Sequence, residues 1–87
     1  MNPNLPDASP VLDLIQAFRR SKTMFTAVSM GVFDALHEGP ATAETLAARL
    51  GAHARALARL LDGCAALDLL RKRDGVYENA ALAEAYL

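Results

Sequence analysis

From Phe18 to Leu36 the chain reads FRRSKTMFTAVSMGVFDAL, a stretch with helical spacing whose apolar residues fall on more than one face. Val11, Phe18, Phe25 and Val32 recur every seven residues, and Leu14, Val28 and Ala35 occupy the companion position three residues later. This spacing predicts one continuous apolar stripe. Leu12, Ile15, Met24, Ala27, Met30, Phe33 and Leu36 make a second. One stripe can face the chain's own core, and the other then needs a partner chain or a further domain.

Punctuation divides the rest. Pro10 suits the first turn of a helix with Ser9 as its N-cap, running to about Met30. Gly31 marks a bend or a new short helix from Val32 to His37, and Glu38-Gly39-Pro40 reads as a turn. Thr42 can cap a helix that ends at Gly51, with Leu46, Ala47 and Leu50 inward and Glu44 and Arg49 outward. After Gly51-Ala52-His53 a longer helix is predicted from Ala54 to Leu70, burying Leu57, Leu60, Leu61, Cys64, Leu67 and Leu70. Two helices joined by a three-residue turn make a helix-turn-helix. Asp74-Gly75, between Leu70-Arg71-Lys72-Arg73 and Val76-Tyr77-Glu78-Asn79, predicts a two-residue hairpin. The pattern is that of a winged helix with a two-stranded wing: a mainly α fold with extra N-terminal helices. Asn79 is expected to cap a final helix whose Leu82, Ala85 and Tyr86 or Leu87 close over the domain. Gly63 lies inside a predicted helix, where glycine costs roughly 1 kcal/mol relative to alanine, so another helix is expected against it.

Composition narrows the possibilities. With 87 residues the chain is one small domain whose folded surface should be roughly 5,000 Å². Hydrophobic residues make up 53%, many of them alanine, which favours a helical, soluble, close-packed domain. A net charge of -1 supplies no overall attraction for nucleic acid or an anionic membrane. Residues 1–9 hold no signal-peptide pattern and read as a flexible polar tail, with the domain over residues 10–87. The lone Cys64 has no disulfide partner and fits a reducing, cytoplasmic setting. The chain stops at Tyr86-Leu87 within a helical pattern, the expected look of a domain excised from something longer.

Candidate chemistry is scarce. His37 and His53 have no ligand at metal spacing, and the surface or capping role is the simpler reading for each. No glycine-rich loop follows a strand, and Ser21 and Ser29 have no base beside them, so no catalytic, cofactor or metal residue is assigned. The basic run Arg71-Lys72-Arg73 could touch phosphates, or it could be a solvated edge strand. The outward face of the second helix-turn-helix helix pairs Arg55 and Arg59 with Asp62 and Asp68, which suits phosphate poorly.

The strings SKTMFTAVSMGVFDAL and TAETLAARLGAHARALARLLDGCAALDLL, then the wing and VYENAALAEAYL, resemble the N-terminal domain of the S-adenosylmethionine-dependent O-methyltransferases, the acetylserotonin O-methyltransferase group with its bacterial tailoring relatives. The resemblance runs from Val11 to Leu87. It implies a winged helix that does not read DNA and forms an intertwined homodimer, while a C-terminal Rossmann-like domain, absent here, binds S-adenosylmethionine and carries the catalytic base. The 87-residue chain alone is then expected to be inactive, and a methyl acceptor to bind only in the full-length parent. The resemblance places Val11, Leu14, Phe18, Phe25, Val28 and Val32 at the dimer interface. It places Leu12, Ile15 and Gln16 at the wall of the partner subunit's substrate pocket. Two other readings stay open: a small dimeric DNA-binding regulator using Arg55, Arg59 and Arg71 to Arg73, and a stand-alone scaffold for a separate enzyme.

Overall fold

The computed structural model describes residues 4–87, so the tail expected over residues 1–9 lies partly outside the described residues. Helix α1 (Ser9–Met30) is followed by α2 (Val32–His37), strand β1 (Ala41–Thr42), α3 (Ala43–Leu50), α4 (Ala54–Ala66), β2 (Leu70–Arg73), β3 (Val76–Asn79) and α5 (Ala81–Tyr86). The helix-turn-helix is α3 and α4. The strands form one antiparallel sheet in the order β1-β3-β2, a mainly helical, winged-helix-like arrangement. The expected two-stranded wing gains a third strand, because Ala41 and Thr42 pair with Tyr77 and Val76. Two residues are too short for a period of two to register in the sequence.

Several caps follow local chemistry. The Thr42 hydroxyl accepts from the Thr45 amide at 3.1 Å, and Gly51 closes α3 at φ 66°. At the hairpin tip Asp74 and Gly75 take φ 50° and 78°, both positive as a type I′ turn demands. Other boundaries depart from expectation. Ala8, not Ser9, is the N-cap of α1, and Asp7 Oδ1 accepts from the Ser9 amide at 3.1 Å and from its hydroxyl at 2.9 Å. Helix α4 stops at Ala66 rather than Leu70. Asp68 turns to φ 61°, and the Asp68 and Leu69 amides bond back to the Ala65 and Cys64 carbonyls at 3.0 Å each. These two bonds make a Schellman cap with aspartate where glycine is usual, and they release Leu70 into β2.

The core gathers Val32, Phe33 and Leu36 of α2, Leu46 of α3, Leu57, Leu61 and Cys64 of α4, and Leu70 and Tyr77 of the sheet. Ala27 is the buried residue of α1. Gly63 sits where α4 meets α1: a Cβ there would stand 3.3 Å from Thr23 Cγ2, so the expected close helix is α1. Gly63→Val should therefore lower stability by about 1 to 3 kcal/mol through overpacking, read from the thermal midpoint by circular dichroism.

At the C-terminal end, Asn79 does not cap α5; Ala80 does, and the Asn79 amide serves another purpose described below. The phase of α5 also differs. Ala83 is its buried residue, while Leu82, Tyr86 and Leu87 face outward instead of closing over the domain.

Candidate self-association surface

A helix of 22 residues is about 33 Å long at 1.5 Å per residue, whereas the molecule is only 27 × 24 Å across its two shorter axes. Its C-terminal turns rest on α2 and α4, and its N-terminal turns extend past the core. Between Ser9 and Lys22 every residue is exposed except Ala17, which is half-buried. The apolar side chains on that segment are therefore bare on both faces. Leu14 is 71% exposed, Phe18 65% and Phe25 61%, with Val11, Leu12, Ile15, Val28 and Met30 also open. The accessible surface, 6158 Å², exceeds the roughly 5,000 Å² expected for this mass. The radius of gyration of 16.1 Å likewise exceeds the about 12 Å of a compact chain this long.

Face divides the two stripes only over the C-terminal turns of α1, where Met24 and Ala27 turn inward while Phe25 and Val28 stay open; over the N-terminal turns both stripes are bare. Met24, Ala27, Phe33 and Leu36 of the second stripe turn inward, but its N-terminal Leu12 and Ile15 stay exposed beside Gln16. Of the residues assigned to an interface, Val11, Leu14, Phe18, Phe25 and Val28 are exposed. Val32 is not: it is 0% exposed, in the chain's own core, so it offers no surface to a partner. The reason lies at Gly31, whose φ of 82° ends α1 and resets the helical phase. A seven-residue count carried across that break does not hold.

An open apolar groove of about 480 Å³ lies along α1 between Phe18 and Phe25, floored by Ser21, Lys22, Thr26, Ser29 and Met30. Thr26 and Met30 also border a second groove of about 270 Å³ that runs to Ala56 and Leu60 of α4. His53 stands at its end and caps α4, its Nδ1 accepting from the Ala56 amide at 3.3 Å.

The polar groups brace helices. Asp62 Oδ1 accepts from the Tyr77 hydroxyl at 2.5 Å and from Lys72 Nζ at 3.0 Å. These bonds, the Tyr77 one foremost, hold the Asp62 carboxyl below its ordinary pKa. Glu84 is lowered likewise, first by the Asn79 amide and then by His37. His37 thus lies on the surface, its Nδ1 hydrogen-bonded to Glu84 Oε1. Among the described residues no three His, Cys, Asp or Glu side chains are grouped to hold a metal ion, and no helix is long and apolar enough to cross a membrane.

Burial pushes the Cys64 thiol up to about 11. A thiol-specific reagent at pH 8 should accordingly label the native chain only as fast as it opens. Because the folded state holds this proton more tightly than the unfolded one, the contribution to stability is complete below pH 9 and is lost as pH rises towards 11. Denaturant midpoints measured at pH 8 and pH 10 should show that fall.

A small helical domain that leaves the apolar side chains of its longest helix bare is an association module. A family model for the O-methyltransferase dimerisation domain matches residues 12–87, and the chain belongs to that family. The 3-hydroxy-5-methyl-1-naphthoate 3-O-methyltransferase of Streptomyces sahachiroi is 43% identical over 75 residues, which cover 86% of this chain and 22% of that protein. A probable bifunctional dTTP/UTP pyrophosphatase/methyltransferase protein of Homo sapiens is 41% identical over 83 residues, covering 94% of this chain and 13% of that protein. The crystal structure of human N-acetylserotonin methyltransferase in complex with SAM superposes with a TM-score of 0.79 at 36% identity, covering 100% of this chain and 27% of that one. The chain thus spans about a fifth or less of the two curated relatives.

Proposed function

We propose that this chain is the homodimerisation domain of an S-adenosylmethionine-dependent O-methyltransferase and holds two catalytic domains together through α1. The bare apolar surface of α1 carries the reading, and membership of a dimerisation-domain family supports it. In the same reading Leu12, Ile15 and Gln16, exposed on the projecting half of α1, reach the partner subunit and form part of its substrate-pocket wall. S-adenosylmethionine belongs to the parent enzyme and not to residues of this domain. The sheet here is antiparallel, and Gly31 and Gly51 end helices while Gly63 receives α1 and Gly75 turns the hairpin. A small methyl acceptor is the parent's substrate.

Nucleic acid is the less favoured partner. The strand alternation that turns Arg71 and Arg73 to one face turns Lys72 to the other, where it pairs with Asp62 of α4, so one of the basic run's three charges is offset by a carboxylate. Sedimentation equilibrium over a wide concentration range, with a labelled random-sequence duplex in parallel, tests the proposal. A dimer that ignores the duplex is expected. A monomer, or a species that sediments with the duplex and releases it steeply with salt, would overturn it.

A further inference from the structure

Strand β3 carries two inward side chains with polar tips, and each fastens a different part of the molecule. The register sets Lys72 opposite Tyr77 and Leu70 opposite Asn79, so these four share the face of the sheet turned to the helices, while Arg71 and Glu78 lie opposite each other on the outer face. Tyr77 is buried, and its hydroxyl donates to Asp62 Oδ1 of α4 at 2.5 Å, a short charge-assisted bond. Lys72 Nζ donates to the same oxygen and lies 5.2 Å from the Tyr77 ring centre. Two residues further on, Asn79 Nδ2 donates to the Phe33 carbonyl of α2 at 3.0 Å and to Glu84 Oε2 of α5 at 2.8 Å. The other oxygen of Glu84 meets the His37 ring, which ties α5 a second time to α2.

Helix α4 completes the connection. Asp62 holds the wing, and its neighbour Gly63 receives α1 at Thr23. A single turn of α4 thus touches α1 on one side and β3 on the other, and β3 in turn touches α2 and α5. A phenylalanine at position 77 would fill the same buried space, so packing does not require the Tyr77 hydroxyl. What the hydroxyl adds is a fixed direction between β3 and α4.

We infer that β3, through Tyr77–Asp62–Lys72 at one end and Asn79–Phe33–Glu84 at the other, is a strut that fixes the angle between the self-association helix α1 and the C-terminal helix α5. The inference rests on the proposed role of α1, and in a dimer it means that the two α5 helices hold one defined separation and orientation. Whatever follows α5 in a longer polypeptide is then presented at a set geometry.

The test reads the α1–α5 geometry within one chain. Spin labels are placed at Asp13→Cys on α1 and Leu82→Cys on α5, both exposed, while the buried Cys64 stays unlabelled. Doubly labelled chain is diluted with excess unlabelled chain, so the distance measured by pulsed electron resonance is intramolecular whether or not the protein dimerises. Tyr77→Phe and, separately, Asp62→Asn are compared with the unsubstituted chain, with circular dichroism checking the fold. A narrow distribution that broadens at least about twofold in both variants is the expected result. A distribution already broad in the unsubstituted chain, or one that neither variant changes, overturns the strut. Sedimentation of the same samples reports separately on self-association, so a monomer with an intact strut is distinguishable from a dimer with none.

Discussion

Phe18→Asp combined with Phe25→Asp is expected to convert a dimer into a monomer that keeps its helical circular dichroism and thermal midpoint. Both rings are more than half exposed in the folded chain, so replacing them removes little from its own core. Burying a phenylalanine fully contributes about 1.5 to 3 kcal/mol, and in the proposed two-fold dimer each ring would be present twice. A carboxylate in the same place adds the cost of a desolvated charge. The dissociation constant should rise at least about 100-fold, equivalent to about 2.7 kcal/mol, measured by sedimentation equilibrium. A variant that still dimerises with unchanged affinity would remove α1 from the interface. The expected contrast is Val32→Asp: with its side chain wholly inside the core, that substitution should unfold the chain and not merely dissociate it.

Leu61→Ala should have the largest effect on the fold itself. Leu61 is fully buried on α4, in the cluster that joins α2, α3 and the sheet. Deleting a buried leucine side chain costs about 2 to 5 kcal/mol, which is a large part of the stability of a domain this small. Thermal melting followed by circular dichroism should show a midpoint lower by about 10 °C or more, since about 1 kcal/mol shifts a domain of this size by about 4 to 8 °C. A shift of only one or two degrees would mean that the site collapses around the gap, or that the core is held mainly elsewhere.

Where the chain's own chemistry acts locally, it was legible. Thr42 and Gly51 bracket α3, Asp74-Gly75 turns the wing, and the Leu57, Leu61 and Cys64 spacing announces the inner face of α4. Where a local rule was met by an unusual residue, it was not. Aspartate at position 68 takes the left-handed backbone more often seen with glycine, so the end of α4 was hidden and Leu70 read as helical. Histidine at position 53, by contrast, takes the capping role that the sequence allowed it, its Nδ1 accepting from the Ala56 amide. The alternation of β2 could have revealed that Lys72 faces away from Arg71 and Arg73, but its attachment to Asp62 and Tyr77 joins residues ten and five positions away on different elements.

The candidate surface divides along the same line. That the N-terminal third carries more apolar surface than a small domain can bury follows from the sequence alone, since periodicity and chain length settle it together. Which of those residues remain outside was decided only in three dimensions. Gly31 adopts a left-handed backbone and resets the phase, so Val32 enters the core although it continues the heptad count, while Leu12 and Ile15, on the stripe that turns inward further along, remain in solvent. The physical reason is that hydrophobic spacing specifies a face relative to a helix's own axis. Whether that face meets a core depends on where the helix ends and how far the core extends beneath it, and from Ser9 to Lys22 α1 has almost none of the core beneath it.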